Sequence, residues 1–173
     1  MSDELEHLIG RLEKDGRKTL KIFQELKEDD WQTQVYKTGS EWTAREVLAH
    51  FVSAEQSFHL LIEDVRQGGT GAPRSLDIDE FNEREVPKLD SMSPDELMDA
   101  YWQARQGSIS LTQSLQPQDL EKEGYHPWFG EVPIRDMLKL VYRHNMIHLR
   151  DMRKALQQGG PVAHKEIDPP STS

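Results

Sequence analysis

Apolar residues recur at spacings of three and four along most of the chain, the period of an amphipathic helix. Leu5, Leu8, Ile9, Leu12, Leu20, Phe23 and Leu26 predict a first long helix from about Asp3 to Lys27. The polar stretch from Glu28 to Glu41, with Lys37-Thr38-Gly39-Ser40, reads as a loop. Thr43-Ala44-Arg45-Glu46 then has the form of a capping box, a hydroxyl at the N-cap and a carboxylate three residues on. Trp42 and Val47 flank it at the positions of a hydrophobic staple. The second helix carries Val47, Leu48, Phe51, Phe58, Leu61, Ile62 and Val65 to about Arg66.

Gly68-Gly69-Thr70-Gly71-Ala72-Pro73 predicts a flexible connection, and Leu76 to Glu85 a short helix with Ile78 and Phe81 inward. Ser93-Pro94-Asp95-Glu96 opens a third long helix with an N-cap, a proline at N1 and a glutamate at N3. It runs through Leu97, Tyr101, Trp102, Ile109 and Leu115. A polar loop follows, ending in Tyr125-His126-Pro127-Trp128-Phe129-Gly130. Pro133 begins the fourth helix, which runs to about Gln158 and ends before Gly159-Gly160-Pro161. No segment alternates apolar and polar residues for long enough to predict a strand. The expected fold is all-α: one four-helix bundle over residues 1–160, with a long crossover between the second and third long helices, and a flexible tail over 161–173.

Composition narrows the function. Of 173 residues, 35% are hydrophobic and 30% charged, which suits amphipathic helices around a narrow core. The net charge of -10 argues against nucleic acid, whose phosphates demand clustered Lys and Arg. Arg17-Lys18 and Arg153-Lys154 are basic, but acids surround them. Cysteine is absent, so disulfides, thiolate ligands and a protein thiol nucleophile are excluded. No stretch is apolar and long enough for a bilayer, and the acidic start, Met1-Ser2-Asp3-Glu4, is unlike a signal peptide. A cytoplasmic protein without membrane contact is expected.

The chemistry points to the fourth helix. His144 and His148 are four residues apart, hence one turn apart on one face. They fall on or beside the apolar stripe of Ile134, Met137, Leu138, Val141, Ile147, Met152 and Leu156. Two inward imidazoles can share a metal ion, and a catalytic zinc usually has a third protein ligand. His7 lies on a charged face and His164 in the tail; His59 is nine residues beyond His50 and points the opposite way. His50 sits among Val47, Leu48, Phe51 and Ala54, so it is the best third ligand, with His126 in reserve. The competing reading is a core histidine bonded to a carbonyl. Three inward histidines would need three such partners, which weighs toward a metal.

Trp42 through His50 resembles the second-helix signature of the DinB/YfiT-like superfamily, and Val132-Pro133-Ile134-Arg135-Asp136-Met137-Leu138 through His148 resembles its last-helix signature. The resemblance covers most of residues 1–158. It implies a four-helix bundle holding one divalent ion with His50, His144 and His148, and members often dimerise. Zinc or nickel is the first expectation for the ion, with iron as a further one. The resemblance also implies activation of water for hydrolysis, or of a low-molecular-weight thiol co-substrate for transfer to an electrophile. Leu76 to Asn82 resembles a region of the thiol-dependent members and brings Asn82 toward the site. Thiol transfer onto a small molecule is the first expectation. A metal-dependent hydrolase and a non-catalytic metal-binding stress-response protein are the alternatives. Glu46 is explained by its cap. Asp151 could orient an imidazole or pair with Lys154. Tyr125, His126 and Trp128 could line a pocket mouth, or simply pack onto the bundle end, the reading the sequence favours.

Overall fold

A computed structural model describes residues 2–164. Four long helices carry the fold: α1 (Asp3–Gln24), α2 (Ala44–Arg66), α4 (Pro94–Ser114) and α5 (Ile134–Gln158). A short α3 (Ile78–Glu85) lies in the crossover. The long helices form a ring of contacts, α1 to α4, α4 to α2, α2 to α5 and α5 to α1. That ring sets the two histidine-bearing helices, α2 and α5, side by side.

The caps start the helices where the sequence says they should. Thr43 accepts from the Glu46 backbone N–H, and the Glu46 carboxylate accepts from the Thr43 N–H at 2.8 Å. Ser93 and Glu96 make the same reciprocal pair ahead of α4. These caps satisfy amides that no helical carbonyl reaches. Gly159, at φ 67°, ends α5 in the left-handed region that costs glycine least. Arg45, inside the α2 signature, has a separate duty. Its Nη2 donates to the carbonyls of Leu89, Asp90 and Met92, tying the end of the crossover to the start of α2.

The structure corrects the expectation that no strand is present. β1 (Glu123–His126) and β2 (Gly130–Pro133) form an antiparallel hairpin just before α5. Each strand has four residues, too few to show an alternation in sequence. Gly130, at φ 72°, helps turn the hairpin. The glycine-rich connection after α2 is pinned to this hairpin: the Tyr125 N–H donates to Thr70 O, and the Ala72 N–H to Tyr125 O. Gly71 makes that approach possible, since a Cβ there would lie 2.5 Å from the Tyr125 nitrogen.

The segment between α1 and α2 is also more ordered than a plain loop. It opens with a 3₁₀ turn, Glu28–Gln32, then doubles back so that Val35 donates to Trp42 O. Its outer side pairs with residues beyond α5: the Val162 N–H donates to Val35 O and the Lys37 N–H to Val162 O. Residues 161–164 thus run beside Tyr36. The rest of the expected tail, 165–173, lies outside the described residues.

The apolar core is divided. One cluster includes Phe23, Trp42, Leu48, Phe51 and Met152; the other includes Leu8, Ile62, Val65, Met137 and Leu138. Between them runs a buried polar layer containing His50, Glu55, Arg105, His144, Asn145 and His148.

Candidate metal centre

His50 projects from the middle of the apolar face of α2, and His144 and His148 from successive turns of α5. All three are buried, at 4%, 7% and 3% exposure, so their ring nitrogens depend on partners other than bulk water. The rings meet at their Nε2 atoms. His50 Nε2 is 2.9 Å from His144 Nε2, and His148 Nε2 is 3.2 Å from the same atom. Their candidate ligand atoms all lie within 4.8 Å of one another. His126, the reserve, is not part of this cluster.

The opposite edges of the rings say which nitrogen carries hydrogen. Tyr36 has one hydroxyl hydrogen and donates it to Asp151 Oδ2 at 3.3 Å. The 2.6 Å contact between Tyr36 O and His148 Nδ1 therefore takes its hydrogen from the imidazole. His148 Nε2 is left with a bare lone pair aimed at the cluster. His144 follows the same logic: its Nδ1 faces Asn145 Oδ1 at 3.4 Å, and the Asn145 amide is oriented by donation to Tyr101 O at 2.9 Å. His50 is held by stacking on Trp42, centroids 4.4 Å apart, and among the described residues its Nδ1 has no hydrogen-bond partner. Asn82 sits close enough to favour the charged form of His50 slightly, without satisfying that nitrogen.

Burial keeps the imidazoles neutral. His50 and His148 are held well below the ordinary histidine range, first by burial and then by neighbouring histidines. His144 is pushed down to about 4 by burial, with Asn145 acting the other way. Burial and the Asp151 carboxylate push the Tyr36 phenol upward, so it stays a hydroxyl.

A divalent cation fits this donor set. Three buried imidazoles converge at their Nε2 atoms, and among the described residues those atoms have no hydrogen-bond partner but one another. Three nitrogens sharing one ion at about 2.0–2.1 Å lie about 3.0–3.4 Å apart, close to the two spacings observed. The His148–Tyr36–Asp151 chain is an orienting support of the kind metal-binding histidines have, with a phenol placed between imidazole and carboxylate.

The cluster opens into a cavity of about 450 Å³, within the usual range for small-molecule sites. Trp42, Phe58, Phe81, Asn82, His126 and Trp128 form much of its wall. His126 and Trp128 thus reach the cavity, where the sequence favoured plain packing at the bundle end. Tyr125 does not line it; its ring lies under the Arg74 guanidinium. His126 stacks on Phe58, and its Nδ1 accepts from the Trp128 backbone N–H at 3.2 Å. The proton of this imidazole is consequently on Nε2, and burial pushes its pKa down to about 4.

The model describing the DinB superfamily matches residues 11–152. The chain belongs to the DinB superfamily. No curated protein matches it. Among solved structures, YfiT from Bacillus subtilis superposes with a TM-score of 0.74 at 18% identity, over 94% of this chain and 91% of that one. It is described as "a probable metal-dependent hydrolase with an unusual four-helix bundle topology". A mycothiol-dependent maleylpyruvate isomerase superposes at 0.72 with 14% identity, over 88% of this chain but 63% of the isomerase. TT2238, a four-helix bundle protein, superposes at 0.60 with 21% identity, over 89% of this chain and 98% of that one. At these identities the likeness is one of fold.

The remaining candidates sort plainly. Glu46 is occupied by its cap. Asp151 acts on His148 through Tyr36 and also contacts Arg150. Asn82 is buried at the cavity wall. His7 is exposed, and His59 faces Gly107 of α4. Sequence reasoning missed Tyr36 and His164. Tyr36 was hidden in a presumed loop, although Val35-Tyr36 is an apolar pair in a polar stretch. His164 stacks on His148 with centroids 5.5 Å apart and lines the cavity. The pairing of Val162 with Val35 and Lys37, and donation from the His164 N–H to Thr38 Oγ1, bring it there, and no local pattern announces that.

Proposed function

We propose that the DinB-fold chain is a metal-dependent enzyme, with His50, His144 and His148 as ligands of one divalent ion. Its first activity is transfer of a low-molecular-weight thiol to an electrophilic small molecule. The observation that carries this reading is the convergence of three neutral Nε2 atoms at the floor of an accessible cavity. A sealed apolar site would have favoured a purely structural ion. A divalent ion bound there would lower the pKa of a thiol or water at an open coordination position.

The chain's own residues supply position and shelter. Tyr36, itself donating to Asp151, favours the His148 tautomer with its proton on Nδ1 and Nε2 free. Asn145 does the same for His144. Trp42 fixes the plane of His50. The aromatic wall keeps bulk water from the reacting atoms, which strengthens each electrostatic contact inside. His126 stays neutral and presents its Nε2–H as a hydrogen-bond donor for a substrate oxygen. No cysteine is present, so a thiol nucleophile comes from outside.

Hydrolysis by activated water is the second reading. It is favoured by YfiT, described as a probable hydrolase and overlapping this chain over nearly its whole length. Metal analysis followed by cobalt substitution separates the two readings. A thiol that shifts the cobalt absorption in the wild type, with the effect lost in His148→Ala, supports thiol transfer. A cobalt spectrum that no thiol perturbs removes thiol transfer and leaves the hydrolase.

A further inference from the structure

The cavity wall has a one-sided charge. It carries two carboxylates, Asp77 and Asp79, and among the described residues no lysine or arginine lines it. Asp77 caps α3 by accepting from the backbone N–H groups of Asp79 and Glu80, so it is fixed in place. Both acids are exposed and belong to the crossover side of the opening. Arg74, a few residues away, is paired with Glu131 and lies over the Tyr125 ring, 4.6 Å from its centroid. The rest of the wall is aromatic or aliphatic, with polar groups from Tyr36, Ser40, Ser57 and Asn82 and the imidazoles of His126 and His164.

An anionic group on a ligand is ordinarily met by Arg or Lys, because a carboxylate or phosphate taken from water needs charge-assisted donors to replace its hydration. This wall offers hydroxyl, amide and imidazole donors and two carboxylates, but among the described residues no guanidinium or ammonium. An ion at the floor would accept one anionic atom, and the wall provides no permanent cation for a second.

We propose that the substrate and any thiol co-substrate are neutral or cationic beyond the single atom that meets the ion, with an apolar or aromatic body. Molecules bearing a second carboxylate or a phosphate are rejected. Acidic thiols and dicarboxylate substrates fall outside the class; uncharged thiols and amines fall inside it. The proposal rests on the metal-site reading for the bound atom, but the charge preference belongs to the wall alone.

Two titrations test it. In the first, cobalt-loaded protein is titrated with mercaptohexanol, aminohexanethiol and mercaptohexanoate, followed by the cobalt absorption. These thiols share a chain long enough to reach the wall and differ in the distal group. In the second, metal-free protein is titrated with hexanol, hexylamine and hexanoate, followed by the fluorescence of Trp42 and Trp128. Both series are expected to bind the carboxylate about tenfold more weakly than the alcohol, the size of effect a like charge at a few ångströms produces in a partly wet site. The amine should equal or exceed the alcohol. Asp79→Lys, at an exposed position, should narrow or reverse the order while leaving the circular dichroism unchanged. A carboxylate that binds as tightly as the alcohol in the metal-free titration overturns the proposal. If no cobalt spectrum forms, the metal-site reading falls, and the fluorescence series still decides the charge preference.

Discussion

Two buried polar clusters share the layer between the apolar cores, and they are built on opposite principles. On the α4 side, Arg105 and Glu55 form a two-pronged ion pair, Nε to Oε1 at 2.8 Å and Nη2 to Oε2 at 2.9 Å, with side-chain exposures of 0% and 1%. Arg105 Nη1 donates to the Leu12 carbonyl, and the guanidinium lies over Tyr101. Gly16 leaves room for it, since a Cβ there would come within 2.9 Å of Arg105 Cγ. Burial opposes the guanidinium's charge, but the Glu55 carboxylate outweighs it and holds the pKa above the ordinary value. On the α5 side, three imidazoles meet at their Nε2 atoms, and among the described residues His50 Nδ1 has no hydrogen-bond partner. The ion pair is complete within the chain. The histidine cluster is complete only with something added, and it faces the cavity. A buried polar group that satisfies itself holds a fold together; one left short is a place for a ligand.

The ion pair should therefore dominate stability. Arg105→Met removes the cation and leaves Glu55 buried without its partner, a loss of about 3–5 kcal/mol. Urea unfolding measures it. The folded fraction should still bind metal with near wild-type affinity, because the two clusters share no hydrogen bond. A loss under about 1 kcal/mol would mean that Glu55 finds water or another donor, and the contrast between the clusters would weaken.

The histidine side should dominate the pH dependence. His126 and His144 have pKa values pushed down to about 4, against 6.5 for the exposed ring. Between those values the unfolded chain binds protons that the folded chain refuses, so folding is favoured above about 6.5 and weakens as the pH falls toward 4. Each ring contributes on the order of 3 kcal/mol over that window. Metal-free protein followed by denaturant midpoint from pH 7 to pH 4.5 should lose stability steadily, and His126→Phe, which cannot titrate, should flatten the curve. An unchanged curve in that variant would place the titration elsewhere.

Much of this was legible beforehand. The four long helices follow from a period of three and four and from the Thr43–Glu46 and Ser93–Glu96 boxes, which are local signals. The grouping of His50 with His144 and His148 followed from one helix face and one spacing, and the structure brings them together. The hairpin was invisible because each strand has four residues and its partner is set by a turn at Gly130. Tyr36 and His164 were invisible because pairing across more than a hundred residues, Val35 with Val162, leaves no local trace. Arg105 and Glu55 left a faint one. Each interrupts the apolar face of its helix, Arg105 between Tyr101 and Ile109 and Glu55 between Phe51 and Ile62, and a charge in such a stripe is a reason to look for its opposite.

Removing one ligand should cost the histidine cluster its ion. His148→Ala is expected to weaken zinc or cobalt binding by more than the roughly 10–100-fold that follows the loss of an outer support. It should not unfold the protein, because the bundle's apolar clusters do not depend on the ion. Calorimetric titration with the metal, alongside a melting curve with and without chelator, reads both effects. In the wild type the chelator should lower the melting temperature, since an ion that binds only the folded chain stabilises it by mass action. In His148→Ala it should do nothing. Global unfolding of the wild type on chelation would mean that the ion is part of the fold.

The smallest expected effect is the most specific. Tyr36→Phe keeps the ring that packs beside His148 and removes only the hydroxyl between His148 Nδ1 and Asp151. Without it the His148 proton has no fixed acceptor, so the ring can turn or change tautomer and its Nε2 is no longer committed to the cluster. Metal affinity should fall about 10–100-fold. Unfolding free energy of the metal-free protein should change by about 1 kcal/mol, the net worth of a buried hydrogen bond. Asp151→Asn should act in the same direction but more weakly, because an amide oxygen still accepts from Tyr36 while the negative charge is gone. The double variant should be no worse than Tyr36→Phe alone, since Asp151 reaches the imidazole only through the phenol. Additive losses in the double variant would mean that Asp151 acts on the site by a second route, through Arg150, and the chain from carboxylate to phenol to imidazole would not be the support that holds His148 in place.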